Sequence, residues 1–409
     1  MNILFLALSF STKEHKSFYE DLLREFQRNG HKIYVACANE KRSNEIDGIQ
    51  ESDGIHILRV RTGNITGNLS IIEKGLSTVS IDFLFQRAIR KYWGNVHFDL
   101  VMYPTPPITL VNTVNYVKNK NNAKTYLLLK DIFPQNAVDL GMMTKTGPKA
   151  VLYRFFRAKE KKLYRISDYI GCMSPANCRY VIEHNPEVDP KKVEVCPNCV
   201  AVPEELSWNR DNRELKEKYG IPADAKVFIY GGNLGKPQGI PFLMQCLERE
   251  KDNEKVFFII VGSGSEYKKL QNFMETVKPK NSLLLSHLPK EEYKQLANQC
   301  DIGMIFLDHR FTIPNFPSRL LSCLAAGIPV LVATDTASDM GPIAEENGFG
   351  YWCESNDVED FHNAVQKMLN SDQTAMGKKG WIFLLNSYTV DNVYRIILKH
   401  FEERKGMSD

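Results

Sequence analysis

Two glycine-rich segments of the chain combine backbone freedom with polar residues, a pattern that could hold phosphate oxygens. The first, YGGNLGKPQG at 230–239, follows an apolar strand pattern and precedes a helical one. Its glycines let main-chain amides approach a ligand, the amino end of the next helix attracts anions, and Lys236 could add a charge. A tight turn without a ligand explains the same residues equally well. The second, VGSGSE at 261–266, is a weaker signal because it lacks the full dinucleotide-binding pattern.

The segment FTIPNFPSRLLSCLAAGIPVLVAT at 311–334 contains an arginine in an unfavourable position. We predict that Ser318 caps a helix whose buried face carries Leu320, Leu321 and Leu324. Arg319 then lies in the first turn, where the helix dipole disfavours a cation by a few tenths of a kcal/mol. A bidentate contact with a phosphate would outweigh that effect, and an arginine exposed to solvent is the alternative.

The segment YLLLKDIFPQNAVDLG at 126–141 places two charged residues directly after an apolar strand pattern. Asp131 could orient or deprotonate an acceptor hydroxyl, or it could instead cap a short helix. Lys130, Asp131 and Arg319 are therefore the candidate catalytic residues.

A basic stretch at 149–165 interleaves cations with aromatic and aliphatic residues. Its basic residues are Lys149, Arg154, Arg157, Lys159, Lys161, Lys162 and Arg165. Such a helix could lie on an anionic membrane surface, where each basic residue adds about 1 kcal/mol. The alternative is a helix with one face in the core and the other in solvent.

Composition excludes several classes of protein. The chain has 409 residues, 43% of them hydrophobic and 25% charged, with a net charge of +3. This balance indicates a globular protein and gives no sign of a nucleic-acid binder. The nine cysteines are too few and too scattered for a disulfide scaffold, and the pair Cys196 and Cys199 is best explained as two buried residues in a turn, not as a metal or redox site.

No segment is predicted to target or cross a membrane. The first residues, MNILFLALSF, lack the basic start and cleavage site of a signal peptide and read as a strand. The uncharged run Leu100–Val117 is interrupted by three prolines, which argues against a transmembrane helix. We expect a cytoplasmic protein, with peripheral attachment to the inner face of the membrane as an option.

Strand and helix patterns alternate along the first half. Strands are predicted at 2–9, 32–38, 55–60, 99–103, 124–129 and 169–173, with helices at 17–29 and 77–93 and a loop at 61–75. Strands separated by helices favour parallel pairing in a doubly wound sheet.

The alternation restarts after a polar stretch near residue 205. Strands are predicted at 227–230, 256–261, 282–285, 302–307 and 330–333, helices at 240–248, 266–277, 290–299 and 318–326, and a last helix at 389–404. We predict an α/β protein with an N-terminal Rossmann-like domain at 1–205, a C-terminal one at 206–386, and a separate last helix within 387–409. Such sheets bind ligands at their carboxyl ends, here in a cleft between the domains.

The order and spacing of these segments resemble the retaining glycosyltransferases of family 4, which have the GT-B fold. The resemblance lies in YGGNLGKPQG, VGSGSE and PSRLLSCLAAGIPVL, while KDIFPQNAVDLG and TPPIT are similar to a bacterial branch that builds surface polysaccharides. It implies sugar transfer from a nucleotide diphosphate-sugar with retention and without a metal. It also implies that the C-terminal domain holds the donor, that the N-terminal domain holds the acceptor, and that the helix within 387–409 crosses back to the first domain and packs on it. The implied donor-binding residues are Gly232, Asn233, Lys236, Gln238, Gly262, Gly264, His287, Pro317, Ser318, Arg319, Leu320 and Ser322.

The chain departs from the family pattern at three places. Asn233 and Gln238 stand where many members carry an arginine and a lysine, and Pro314 and Ser322 replace a pair of glutamates. The glycine-rich loop after the first strand is replaced by SFSTKEHKS at 9–17. Arg319, Lys236 and the helix after Ser318 are expected to meet the diphosphate charge instead.

The expected function is therefore transfer of a hexose or amino sugar to a lipid-linked saccharide in capsule or O-antigen-type synthesis. Expected partners are the nucleotide diphosphate-sugar, the lipid-linked acceptor and an anionic membrane surface, with no nucleic acid and no cofactor. One alternative is a nucleotide-sugar epimerase of the same fold that uses His287 and His309. Another is a non-catalytic sugar-nucleotide-binding protein, and a dehydrogenase is disfavoured because neither half begins with GxGxxG.

Overall fold

The computed structural model describes residues 1–10, 18–43, 45–65, 71–201, 206 and 212–402, with only the main chain at 71–79, 290 and 402. The chain divides into a first unit, Met1–Ala201 with Val390–Asp409, and a second unit, Val202–Thr389. The sequence predicts these two boundaries after residues 205 and 386. The segment at 9–17 predicted to replace a glycine-rich loop lies almost wholly outside the described residues.

The first unit is built on an eight-stranded sheet. Its strands are β1 Asn2–Ala7, β2 Lys32–Glu40, β3 Gly48–Ser52, β4 Ile55–Thr62, β5 Leu100–Thr105, β6 Lys124–Leu129, β7 Tyr169–Cys172 and β8 Val193–Val195. They lie in the order β3-β4-β2-β1-β5-β6-β7-β8, and all neighbours are parallel except the hairpin β3-β4. The strand order reverses between β1 and β5, where doubly wound sheets bind ligands.

Helices cover both faces of this sheet, as its buried strands require. They are α1 Phe18–Arg28, α2 Ile71–Trp93, α3 Val111–Asn121, α4 Gln135–Asp139, α5 Ala150–Ile166 and α6 Pro175–His184. The run Leu100–Val117 forms β5 and the start of α3, so the sequence argument against a transmembrane helix is confirmed.

The second unit is built on a six-stranded, all-parallel sheet. Its strands are β9 Lys226–Asn233, β10 Val256–Ser263, β11 Ser282–Leu285, β12 Ile302–Phe306, β13 Val330–Thr334 and β14 Gly350–Glu354. The order is β11-β10-β9-β12-β13-β14, so the strand order reverses between β9 and β12. Buried Phe228, Phe258, Ile260 and Phe306 form the centre of its core.

The helices of the second unit are α7 Arg213–Tyr219, α8 Ile240–Glu250, α9 Tyr267–Val277, α10 Lys290–Asn298, α11 Arg319–Ala325, α12 Met340–Glu346, α13 Val358–Leu369 and α14 Gln373–Ser387. The last helix, α15 Val390–Glu402, returns to the first unit. There Val393, Tyr394 and Ile397 share a core with Leu22 and Phe26 of α1, which confirms the predicted crossover.

The sequence analysis was wrong about the loop at 61–75. Strand β4 runs to Thr62, and α2 begins at Ile71, six residues before the predicted helix at 77. A single glycine, Gly75, lies inside the first turns of α2; a glycine there costs about 1 kcal/mol relative to alanine and does not end a helix. The short strands β3 and β8, and the elements α12, β14, α13 and α14, were not predicted.

Candidate active site

The two glycine-rich segments lie side by side at the carboxyl ends of β9 and β10. Gly262 pairs with Gly232 and Ser263 with Asn233, and the Leu234 amide donates to the Ser263 carbonyl over 2.8 Å. A Cβ atom at Gly262 would lie 1.9 Å from the Gly232 carbonyl oxygen, so only glycine fits there. The packing of two backbones explains Gly262, which need not itself contact a ligand.

Arg319 extends from the start of α11 to the end of β9. Its Cζ lies 4.2 Å from the centre of the Tyr230 ring, and a Cβ atom at Gly232, where φ is +131°, would lie 2.8 Å from its Nη2. Within the described chain, its Nε and Nη1 are buried and have no hydrogen-bond partner. The guanidinium is therefore packed on an aromatic ring, a contact worth about 0.5–2 kcal/mol, and is not an arginine free in solvent.

Ser318 does not cap α11, contrary to the prediction. Its backbone is already helical, with φ −61° and ψ −12°, and its side chain makes no capping bond. Ser318 and Ser322 are both exposed and lie one turn apart on the same face of the helix. Leu320, Leu321 and Leu324 are buried as predicted, so the side chain of Leu320 belongs to the core. Pro317 is partly exposed just before the helix.

Asn233 and Gln238 are bonded to each other. The Gln238 Oε1 atom accepts from Asn233 Nδ2 over 3.0 Å and from the Gly235 amide over 3.2 Å, which closes the loop between β9 and α8. Lys236 is exposed at the tip of this loop. Gly264, with φ +157°, passes so close to Leu234 that a Cβ atom would lie 2.4 Å from its carbonyl oxygen.

An Asp–Arg pair that the sequence analysis missed borders the same loop. The Asp308 amide, just after β12, donates to the Pro237 carbonyl over 2.9 Å. Arg310 donates to both carboxylate oxygens of Asp308, over 2.8 and 2.7 Å. Burial opposes ionisation of Asp308, but the bonds and charge of Arg310 outweigh it and lower the pKa of the carboxyl. The sequence Asp308-His309-Arg310 directly after an apolar strand could have indicated this pair.

The two histidines of the alternative epimerase lie at different places on the sheet. His287 is exposed after β11, and His309 is exposed after β12, with its Nδ1 3.9 Å from Asp308 Oδ1. Strands β10 and β9 separate β11 from β12, which puts the strand ends roughly 14 Å apart at about 4.8 Å per strand. This separation disfavours the histidines as an acid–base pair on one sugar carbon.

Asp131 lies at the carboxyl end of β6 in the first unit, beside the end of β5. Both of its carboxylate oxygens accept from Asn136 Nδ2 over 2.8 Å, and its main chain bonds to the Thr105 hydroxyl. Burial raises the pKa of Asp131 to about 6, and the bonds from Asn136 and the Ile132 amide limit the rise. Helix α4 is preceded by Pro134 in the cap position, so Asp131 is not its cap.

Lys130 points to the turn that contains the two cysteines. Its Nζ donates to the Cys196 carbonyl over 3.1 Å, and burial lowers the pKa of its ammonium group. Cys196 and Cys199 are buried with free thiols, and burial raises the pKa of Cys199 to about 12. These contacts favour a packing role for the cysteines. The catalytic assignment of Lys130 stays a prediction.

Parts of the chain are similar in sequence to known glycosyltransferases. Residues 211–380 match the family model described as glycosyl transferases group 1. This part of the chain is a group 1 glycosyltransferase domain. The chain is 23% identical over 312 residues to WbjE of Pseudomonas aeruginosa, which is named as a glycosyltransferase, and the match covers 75% of this chain and 74% of that protein. It is 20% identical over 274 residues to WcaI of Escherichia coli, named as a glycosyl transferase of colanic acid biosynthesis, covering 66% and 65%.

The fold of the whole chain is similar to that of solved glycosyltransferases. Sucrose-phosphate synthase of Thermosynechococcus elongatus aligns over 100% of both chains, with a TM-score of 0.76 and 12% identity. WaaG, a glycosyltransferase of lipopolysaccharide biosynthesis, aligns over 97% of this chain and 99% of its own, with a TM-score of 0.66 and 14% identity. HepE of Anabaena, solved in complex with UDP, aligns over 98% and 100%, with a TM-score of 0.67 and 14% identity. The predicted GT-B fold is confirmed.

No helix among the described residues is long and apolar enough to span a bilayer. No group of three or more His, Cys, Asp or Glu side chains in the same residues could hold a metal ion.

Proposed function

We propose that this glycosyltransferase moves a sugar from a nucleotide diphosphate-sugar to a saccharide hydroxyl, with retention, in the synthesis of a bacterial capsule or O-antigen-type polysaccharide. The polysaccharide context is supported by the names of WcaI and WaaG. The donor class is supported by HepE, which was solved with UDP.

The observation that carries the proposal is the guanidinium of Arg319, whose Nε and Nη1 atoms are buried without a hydrogen-bond partner in the described residues. It lies against Gly232 at the point of strand reversal in the second unit, with buried donors that lack a partner in the described residues. A bidentate contact with the donor diphosphate would satisfy such a group. As the bond to the sugar breaks, the diphosphate gains negative charge, and Arg319 with main-chain amides of the 230–239 loop would stabilise it. No metal or cofactor forms part of the proposal.

Asp131 is the proposed group for the acceptor. It lies near the strand reversal of the first unit, and its raised pKa of about 6 suits a carboxylate that takes a proton near neutral pH. We assign it to orient and deprotonate the acceptor hydroxyl. The acceptor is proposed to be lipid-linked, with the enzyme peripheral on the inner face of the membrane and the segment 149–165 in contact with anionic lipid.

A transfer assay tests this function. The enzyme is incubated with nucleotide diphosphate-sugars and a bacterial lipid extract, and release of nucleoside diphosphate and new glycolipid are measured by mass spectrometry. We expect Asp131→Asn to keep donor binding and to lower transfer by about 10²–10⁴-fold. The exposed Asp252→Asn is the control. Isomerisation of a donor without any acceptor would favour the epimerase, and donor binding without any turnover would favour a binding protein.

A further inference from the structure

The surface of the first unit at residues 141–156, here called the apolar face, exposes a cluster of large apolar side chains. Met142, Val151, Leu152 and Phe155 are 61, 68, 49 and 37% exposed. With Phe156 they line a shallow groove of about 870 Å³ between the loop after α4 and the first turns of α5. Contiguous apolar surface of this kind marks a site that something else covers.

The sequence of the apolar face carries only basic charges, and its nearest acidic residues in the chain, Asp139 and Glu160, lie beyond its two ends. Residues 140–159 contain five basic residues and no aspartate or glutamate. The Nζ atom of Lys145 lies 5.7 Å from the centre of the Tyr153 ring, and that of Lys159 lies 5.7 Å from the centre of the Phe155 ring. Cations therefore lie at the edge of the apolar cluster. Apolar side chains flanked by lysine and arginine complement a bilayer with anionic headgroups, in which the chains enter the lipid and the cations contact phosphate.

The basic residues in the C-terminal half of α5 are not available to contact lipid phosphates. Arg157 bonds to buried Glu160 over 2.5 Å and to Asn185 over 2.7 Å. Lys161 forms an ion pair with Glu187 over 3.2 Å. These cations already have partners in the protein. The lipid-binding surface therefore does not extend over the whole predicted segment 149–165. It consists of the first turns of α5 and the loop that precedes them.

The apolar face is linked directly to the candidate acceptor site. The ring of Phe133, two residues after Asp131, lies 5.0 Å from the ring of Phe156. The amides of Met142 and Met143 donate to the Ala137 carbonyl of α4, the same helix whose Asn136 holds Asp131. A bilayer against this face would therefore lie next to the residue that is proposed to receive the acceptor.

We propose that the apolar face docks this enzyme on an anionic bilayer, with Met142, Val151, Leu152 and Phe155 inserted among the lipids. This inference rests on the proposed function, for which it names the surface where a lipid-linked acceptor meets Asp131.

Flotation with lipid vesicles tests the proposal. Wild-type enzyme is expected to float with vesicles of phosphatidylcholine containing roughly 30% phosphatidylglycerol, more weakly with pure phosphatidylcholine, and less as salt rises. Val151→Gln with Leu152→Gln should reduce the bound fraction about tenfold or more, since both side chains would lose their burial in lipid. Lys149→Gln with Arg154→Gln should reduce it on anionic vesicles alone.

Matched controls lie on the second unit. Ile382, which is 56% exposed, is changed to Gln, and exposed Lys251 and Lys268 are changed together to Gln. These variants should float as the wild type does. Circular dichroism checks that all variants are folded. We expect them to be, because the substituted side chains are exposed.

Three results would overturn the docking proposal: no flotation of the wild type, flotation of Val151→Gln/Leu152→Gln equal to the wild type, or wild-type dimers in sedimentation equilibrium that this variant abolishes while neither protein floats. The last result would assign the face to a second copy of the chain. Flotation uses neither donor nor acceptor. An enzyme that floats but transfers no sugar would contradict only the proposed function, and one that transfers sugar without floating would contradict only the docking.

Discussion

The carboxyl group of Asp131 is held in an unusual environment for an aspartate. Its burial raises its pKa to about 6, while the amide of Asn136 bonds to both oxygens and opposes that rise. Removing the amide should therefore raise the pKa of Asp131 further, because the effect of burial would then be opposed only by the bond from the Ile132 amide. In the proposed reaction, Asn136 would act on the acceptor through Asp131, as a positioning residue.

This arrangement predicts the pH dependence of transfer. A base works only when ionised, so kcat/KM should fall as the pH drops through about 6 and be constant above neutrality. In Asn136→Leu the midpoint should move to higher pH. Gln135→Leu, on the same helix but bonded to Asp139, should leave it in place. A midpoint near 4, or one unmoved by Asn136→Leu, would mean that Asp131 is not the titrating base.

Gly232 is constrained both by its backbone and by its neighbour. Its φ of +131° is strained for any other residue, and a Cβ atom would meet Nη2 of Arg319. Gly232→Ala should push the guanidinium from its place on Tyr230 and weaken nucleoside diphosphate binding about tenfold.

The control separates backbone strain from contact. Gly220 has φ +63° and nothing within 4 Å of the position of a Cβ atom. Gly220→Ala should lower the free energy of unfolding by about 1–2 kcal/mol. It should leave nucleoside diphosphate binding, measured by titration calorimetry, unchanged. Unchanged binding in Gly232→Ala would show that Arg319 does not need its observed position.

Among the elements, α15 is attached to the first unit by a polar cluster as well as by its apolar face. Glu194 of β8 accepts from His400 Nε2 and from the buried Tyr126 hydroxyl, both over 2.7 Å, and pairs with Lys399. The ring of His400 also stacks on Tyr169, with centroids 3.7 Å apart. This cluster fixes the end of the helix on the sheet.

Loss of this cluster should destabilise the first unit. Glu194→Ala removes the acceptor of a buried hydroxyl, so the free energy of unfolding should fall by about 1–3 kcal/mol in denaturant titrations. Glu51→Ala, an exposed residue 3.8 Å from His56, should change it by less than about 0.5 kcal/mol. A loss in Glu194→Ala no larger than that of the control would show that apolar packing alone holds α15.

Helix α14 shows why some elements could not be predicted from the sequence. Its buried side includes Gly377 and Gly380, which a reading of apolar periodicity does not count. Both glycines allow close packing on neighbours: a Cβ atom at Gly377 would lie 2.1 Å from the Gly327 carbonyl, and one at Gly380 would lie 2.8 Å from Leu324. Helix α14 is thus packed through glycines that approach a backbone at Gly327 and a side chain at Leu324. Apolar periodicity in the sequence gives little indication of such contacts.

For the whole molecule, the parts fixed by local pattern were predictable. The central strands are runs of buried apolar residues, and their alternation with helices predicts two doubly wound α/β units. The GT-B fold itself was implied by the resemblance to family 4 glycosyltransferases. At the candidate site, the position of Asp131 after a strand and that of Arg319 in the first turn of a helix could be predicted. Three side-chain contacts could not be predicted, because each depends on the path that the backbone takes in the folded chain. They are the stacking of Arg319 on Tyr230, the ion pair of Asp308 with Arg310, and the hydrogen bonds from Asn136 to Asp131.

The central claim is that Arg319 binds the diphosphate of the donor. Isothermal titration calorimetry with UDP, GDP, ADP, CDP and dTDP tests it directly. We predict that the wild type binds at least one of them, that Arg319→Ala weakens that binding about tenfold or more, and that Arg319→Lys lies between them because lysine lacks the bidentate fork. Arg249→Ala, which removes an exposed ion pair with Glu359 in the same unit, should bind as the wild type does. Equal affinity of Arg319→Ala and wild type would contradict the account.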